Sequence, residues 1–457
     1  MSQQRFFEIL PGVLSWSTLL AIVILSWIYP VFMAVFIIFF DIYWFLKTLY
    51  LSIHLRISYH RMNTNMKVDW LAKLKADPTT NTWDQFYHVL IFPFYKEPYE
   101  VIRETFDALI KGNYPMDKFI VVLAAEGRAG DQAQTVAKQL EQEFANHFFK
   151  FLITTHPQDL PGEIPGKGSN ETWSIKQTKE LIIDPLAIDY NKILVSIFDC
   201  DTQIFPNYFG ILTHTFLTTE DNLHASYLPV PFFLNNIFQA PALARVISFS
   251  ASVYHMMQQA RPHRLTTFSS HTIPFKVLVD VGYYKTNIVN EDSHIFWQSY
   301  IHYNGNYRTI PLNYPVSMDA NVAPTFWRTM VNQYKQQQRW AWGGVENIPF
   351  FMRGFIKNKK IPFKRRFSWA FFYIEGFHSW ATNALIIFTL SWLPIAIGGR
   401  FKKYHYIWYV LQWMFLPITM IIFGSIPALD SQTRGILGGK YRLGFWVTPK
   451  HRESKNP

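Results

Sequence analysis

Residues 192–201 read KILVSIFDCD, and this stretch decides how the chain folds. The run from Ile193 to Ile197 favours a buried strand, because β-branched side chains fit a pleated surface covered on both faces. Asp199 and Asp201 then appear two positions apart, where such a strand leaves the core. Carboxylate oxygens at a strand end suit Mg2+ or Mn2+, whose other positions a diphosphate and water fill. Taken alone, the pattern also fits an acidic turn.

Upstream, strand-like and helix-like runs alternate from Phe86 to about Gly210. FYHVLIFPFY (86–95), KFIVVLAAEG (118–127) and FKFLITTH (149–156) have strand composition, while PYEVIRETFDALIKG (98–112) and residues 132–144 have helical character. Strands separated by helices of this length predict βαβ units, with ligands beyond the carboxyl ends of the strands.

Downstream, Asn290-Glu291-Asp292 precedes an apolar run that reads as a helix start. Acidic residues there fit a helix cap, and they also fit a general base that takes a proton from a hydroxyl. Gln336-Gln337-Gln338-Arg339-Trp340 follows. A guanidinium beside an indole can pair with phosphate and stack on a sugar, or can mark a bilayer edge.

The ends are apolar. No charged residue lies between Glu8 and Asp41, between Glu375 and Arg400, or between Lys403 and Asp430. Each stretch exceeds the roughly 20 residues of a membrane-crossing helix. The N-terminal run is too long for a signal peptide, continues into a second apolar segment and lacks a small-x-small cleavage site. Two helices are expected at residues 12–29 and 31–54, broken near Pro30, with Asp41 inside the second; two more are expected near 371–397 and 404–424. The net charge of +11 among 457 residues is concentrated in Arg353, Lys357, Lys359, Lys360, Lys364, Arg365 and Arg366, just before an apolar stretch. That placement points to a cytoplasmic membrane surface and away from nucleic acid. Cys200 is the only cysteine, so no intrachain disulfide forms.

The expected organisation is an N-terminal transmembrane hairpin (1–57), a cytoplasmic α/β domain (58–345), a basic interfacial segment (346–366), C-terminal transmembrane helices (367–426) and a basic cytoplasmic tail (427–457).

Asp-x-Asp, Glu-Asp and Gln-x-x-Arg-Trp, in that order, resemble the family 2 glycosyltransferases of the processive membrane type, the group of cellulose, chitin and hyaluronan synthases. Pro93-Phe94-Tyr95-Lys96-Glu97 resembles the family's Pro-x-Tyr-Asn-Glu opening, and Gly166-Lys167-Gly168-Ser169-Asn170 its Gly-Lys-Ala-Gly-Asn stretch. The resemblance covers about Phe86 to Gly344. It implies a GT-A fold, a Rossmann-like mixed sheet inserted between membrane helices, and inverting transfer from a nucleotide diphosphate sugar, foremost a UDP-sugar, to a growing polysaccharide or a glycolipid.

By that resemblance Asp292 is the base, and Asp199 and Asp201 bind Mg2+ or Mn2+. Pro93, Tyr95, Glu97, Glu126, Lys167 and Asp199 bind the donor; Glu291, Gln336, Arg339, Trp340 and His271 face the diphosphate and the acceptor. His271 comes from Phe268-Ser269-Ser270-His271-Thr272, which resembles the group's acceptor segment; an ordinary loop histidine fits equally. Ala124-Ala125-Glu126-Gly127 departs from the family's Asp-Asp-Gly, and this substitution is the support for an alternative, a non-catalytic nucleotide-sugar sensor or scaffold. The expected location is a multi-pass protein of the cell membrane with its catalytic domain cytoplasmic, partnered by membrane lipid and by a second copy or an export protein.

Overall fold

The computed structural model describes residues 2–378, 415–444 and 446–449. Its centre is an eight-stranded mixed sheet in the order β3-β2-β1-β4-β7-β6-β8-β5. The strands are β1 (Tyr87–Phe94), β2 (Phe119–Glu126), β3 (Lys150–His156), β4 (Ile193–Ile197), β5 (Gln203–Ile204), β6 (Ala225–Phe232), β7 (Thr272–Pro274) and β8 (Arg308–Ser317). β3, β2, β1 and β4 run parallel, and β7 adds antiparallel to β4.

Helices α1 (Gln3–Ile28), α2 (Pro30–Asn65) and α3 (Trp70–Ala76) precede the sheet. Within it lie α4 (Tyr99–Ile110), α5 (Asp131–Phe144), α6 (Lys167–Thr178), α7 (Tyr208–Thr218), α8 (Ala242–Gln259), α9 (Phe275–Val281) and α10 (Glu291–His302). The chain continues through α11 (Phe326–Lys357), α12 (Phe363–His378), α13 (Leu416–Met420) and α14 (Ile426–Leu437).

Alternation along the inner strands explains why helices cover both faces. Leu90, Phe92, Phe94, Val121 and Leu123 point one way and pack with Ile102 and Phe106 of α4 and Leu140 of α5. Val89, Ile91, Ile120, Val122 and Val195 point the other way, against Ile175 of α6 and Phe296 of α10. Successive residues of a strand face opposite sides, so an unbroken apolar run needs two covered faces. Trp297 of α10 is fully buried and stacks on Phe351 of α11 at 4.3 Å. A buried side chain of that size stabilises by about 1.5–3 kcal/mol, and here it fixes α10 against α11.

The β1/β4 pair is the switch point of the sheet. β2 and β3 lie on one side of β1, and the chain returns through α6 to place β4 on the other. The carboxyl ends of β2, β1 and β4 therefore lie side by side, and a crevice opens beyond them.

The flanking segments differ in several respects from the sequence expectation. α1 and α2 are separated by Tyr29, and Pro30 opens α2 as its first residue, where the missing N–H is harmless. α2 continues past residue 57 to Asn65, whose amide donates to the Leu312 and Asn313 carbonyls, both at 3.2 Å. The expected boundary at 345/346 falls inside α11, which runs unbroken through Pro349. Residues 427–437, expected in a tail, belong to α14, which packs on α11 and α1. Among the described residues no helix is long and apolar enough to cross a membrane. The expected spans at 371–397 and 404–424 lie largely outside the described residues.

Candidate active site

Most of the candidate side chains are placed by the end of a regular element. Pro93 and Tyr95 sit where β1 ends, and the Glu97 carboxylate folds back to accept the backbone N–H of Tyr95 at 2.6 Å and of Lys96 at 3.1 Å. Glu126 ends β2 and pairs with Arg128, whose guanidinium lies 4.5 Å from the Tyr95 ring centre. Asp199 lies two residues beyond β4. Its Oδ1 meets the Lys167 ammonium at 2.6 Å, and Ser269 Oγ donates to its Oδ2 at 2.7 Å.

Lys167 opens α6 after Gly166, and the next residue has no room for a side chain. A Cβ at Gly168 would stand 2.7 Å from the Lys285 carbonyl oxygen and 2.9 Å from Glu291 Cβ. Glycine thus lets α6 approach the start of α10. Glu291 and Asp292 are the first two residues of α10. The Asp292 Oδ1 accepts the Ser293 N–H at 2.7 Å, and Thr267 Oγ1 donates to the Asp292 carbonyl at 2.5 Å.

The last wall is α11. Gln336, Arg339, Trp340 and Gly343 all line the cavity, and a spacing of three, four and seven puts them on one helical face. Trp340 lies 6.5 Å from Phe233, just past β6. The loop before α10 is tied to α11 by Glu346, which accepts the backbone N–H of Val289 at 2.9 Å and of Asn290 at 3.0 Å, and the Trp342 indole N–H at 3.0 Å.

Together these residues enclose one cavity of about 400 Å3. Pro93, Tyr95, Glu97, Glu126, Lys167, Asp199, Glu291, Asp292, Gln336, Arg339 and Trp340 line it, although nearly 250 residues of chain separate the first from the last. His271 and Asp201 do not belong to that lining. His271 is buried and engaged at both ring nitrogens, by the Phe268 carbonyl and the Tyr284 hydroxyl, each at 2.7 Å. Phe268 and Ser269 are the residues of that segment that line the cavity, just before a turn where Ser270 takes a φ of 66°. Asp201 is 0% exposed, and its Oδ2 accepts the Asp319 N–H at 2.9 Å.

The electrostatics follow from burial. Burial is the first cause that pushes the Asp292 carboxyl up; Asp199 adds to the shift, while Lys167, the Ser293 N–H and Arg339 oppose it. Burial, then Glu171 and Asp292, hold Glu291 well above the ordinary carboxylate range. Glu171, one turn after Lys167 on α6, is pushed up to about 8, again first by burial. Burial disfavours the Lys167 ammonium, but Asp199, Glu171 and Glu291 outweigh it and keep it charged. Like charges crowded in a dry site disfavour ionisation, and an ammonium among them restores part of it.

Among the described residues no three His, Cys, Asp or Glu side chains gather into a metal site. Asp199, the cavity-facing carboxylate of the Asp-x-Asp pair, would hold Mg2+ or Mn2+ in the usual way of one carboxylate with substrate phosphates and water, with the Lys167 ammonium moving off its Oδ1.

Glu171 and Glu346 escaped the sequence reading. The first had a signal, its place four residues after Lys167 on a helix. The second stands seven residues after Arg339, on the same helical face.

No family model matches the chain, and no curated protein matches it. Among solved structures it is similar to the mannosyltransferase PcManGT from Pyrobaculum calidifontis in complex with GDP-Man and Mn2+, at 14% identity and a TM-score of 0.43, covering 81% of this chain and 98% of that one. It is also similar to S. aureus TarS 1-349 in complex with UDP-GlcNAc, at 14% identity and a TM-score of 0.35, covering 78% and 93%. A third is glucosyl-3-phosphoglycerate synthase from Mycobacterium tuberculosis with Mn2+, UDP and phosphoglyceric acid, at 11% identity and a TM-score of 0.35, covering 59% and 81%. With every one of these TM-scores below 0.5, the functional reading rests on the site itself.

Proposed function

We propose that this chain is a membrane-bound inverting glycosyltransferase of GT-A type that moves a sugar from a nucleotide diphosphate sugar to a glycan or glycolipid hydroxyl. One observation carries the reading. Carboxylates, an ammonium, a guanidinium and an indole from six separate chain segments line one cavity beyond the carboxyl ends of β1, β2 and β4.

In this reading the acceptor oxygen forms a bond to the anomeric carbon while the bond from that carbon to the diphosphate breaks on the opposite face. The hydroxyl proton passes to an Asp292 oxygen, and the electron pair leaves with the nucleotide diphosphate. Lys167 and Arg339 offset the charge gathering on the diphosphate. Tyr95 and Arg128 flank the donor's base, Glu97 holds the turn of Tyr95, and Trp340 offers its ring to the acceptor. Asp199 would hold Mg2+ or Mn2+, which when bound supplies further charge neutralisation at the leaving group.

Membrane association is supported by the long uncharged stretches and by large exposed apolar side chains on α1 and α2, among them Leu20, Ile24, Ile28, Phe32 and Phe39. Exposed apolar patches of that kind mark contact surfaces.

The test is Asp292→Asn. Removal of a general base costs about 10²–10⁴-fold in rate, so transfer should fall by that factor while donor affinity, measured by calorimetry, stays within a few fold. Transfer at the wild-type rate would defeat the assignment of the base, and absence of turnover in both proteins would favour a donor-binding sensor.

A further inference from the structure

The cavity has a second, basic stretch of wall that sugar transfer as described does not use. Lys47 of α2, Arg261 and Arg264 in the loop after α8, and Glu375 of α12 all line it. Lys47 forms an ion pair with Glu375, which leaves two guanidiniums facing one carboxylate that is already engaged. Arg261 is only 7% exposed.

The Nε atoms of both arginines are buried and have no hydrogen-bond partner among the described residues. Aromatic rings hold the guanidinium faces: Arg264 lies over Phe372 at 3.2 Å, and Arg261 over Tyr50 at 5.8 Å. A ring face supports the cation but accepts none of its in-plane N–H bonds. Burial also lowers the Arg264 pKa, to about 10, a sign of how poorly the charge is compensated. Buried cationic donors without acceptors are costly, and planar forks of this kind match phosphate oxygens. Leu51, Ile247 and Phe372 line the same cavity, so an apolar group can lie beside the anion.

We propose that Arg261 and Arg264 bind the phosphate of an amphipathic acceptor, so that the molecule receiving the sugar carries a phosphate next to a hydrocarbon chain. This rests on the glycosyltransferase reading and narrows its acceptor. A phosphate gripped at the basic wall anchors the acceptor inside the cavity that also contains Asp292, and the hydrocarbon follows the apolar lining toward α2.

The probe is dodecyl phosphate, titrated into the full-length protein in neutral detergent, with dodecanol and inorganic phosphate as controls. Saturable binding of dodecyl phosphate is expected, with dodecanol and inorganic phosphate at least tenfold weaker. The double variant Arg261→Gln, Arg264→Gln should weaken dodecyl phosphate at least tenfold. Arg261→Lys with Arg264→Lys, which keeps the charge and loses the fork, should fall in between and controls for folding. Equal binding of inorganic phosphate would assign the site to a soluble anion and overturn the proposal, as would unchanged affinity in folded double variants. Nucleotide release from donor by the unsubstituted protein without acceptor tests the transferase reading separately, so the two failures are distinguishable.

Discussion

At the scale of single residues, Asp292 must be ionised to accept a proton, and burial makes ionisation harder. A free aspartate titrates near about 4, and the folded-state shift is upward, so the active carboxylate is lost at a higher pH than usual as the solution is acidified. The log of kcat should therefore rise with pH on an acid limb whose midpoint lies above the ordinary carboxylate value. A rate independent of pH down to about 4 would contradict the shift.

Residue identity was legible where chemistry and position coincided. Asp199 follows a strand, Asp292 lies in the first turn of a helix, and both reach the cavity. His271 and Asp201 lie outside the cavity lining, because composition does not tell which side of a turn a side chain takes. His271 is spent on the Phe268 carbonyl and Tyr284, and Asp201 on the backbone of Asp319. Arg261 and Arg264 carried no signal at all, since their importance lies in what fails to pair with them after folding.

At the scale of elements, the site depends on how closely α6, α10 and α11 approach. Gly168→Ala would push a methyl group into the Lys285 carbonyl and Glu291 Cβ. Overpacking of this kind costs about 1–3 kcal/mol, so the melting temperature should drop and kcat with it; an unchanged melting curve would refute the close contact. Glu346→Ala would leave the N–H groups of Val289 and Asn290 and the Trp342 indole without their acceptor. The expected loss is about 1–3 kcal/mol in stability, together with a fall in kcat larger than any change in donor KM, because the loop that aims Asp292 loosens. Steady-state kinetics that show no change would remove Glu346 from any positioning role.

The strands and helices between Phe86 and Ile197 were readable from apolar periodicity, because a doubly covered parallel sheet writes itself as continuous apolar runs. Element length at the edges was not. α2 and α11 each run on beyond the expected domain boundaries, since tertiary contacts with β8 and α14 sustain helix where composition alone suggested a change.

At the scale of the whole molecule, an α/β sheet lies beside a helical pair rich in exposed apolar side chains, and the cavity is lined both by sheet ends and by α2 and α12. Under the proposed function, that arrangement joins the donor end of the cavity to an apolar, basic recess, which would suit an enzyme that takes its nucleotide sugar from water and its acceptor from a bilayer.

The most direct measurement is nucleotide release by the purified protein in detergent with Mg2+ or Mn2+, across a panel of UDP- and GDP-sugars. At least one donor should yield free UDP or GDP, with release falling by about 10²-fold or more in the Asp292→Asn variant. No release from any donor, across several lipid backgrounds and in the presence of dodecyl phosphate, would contradict a transferase at this cavity.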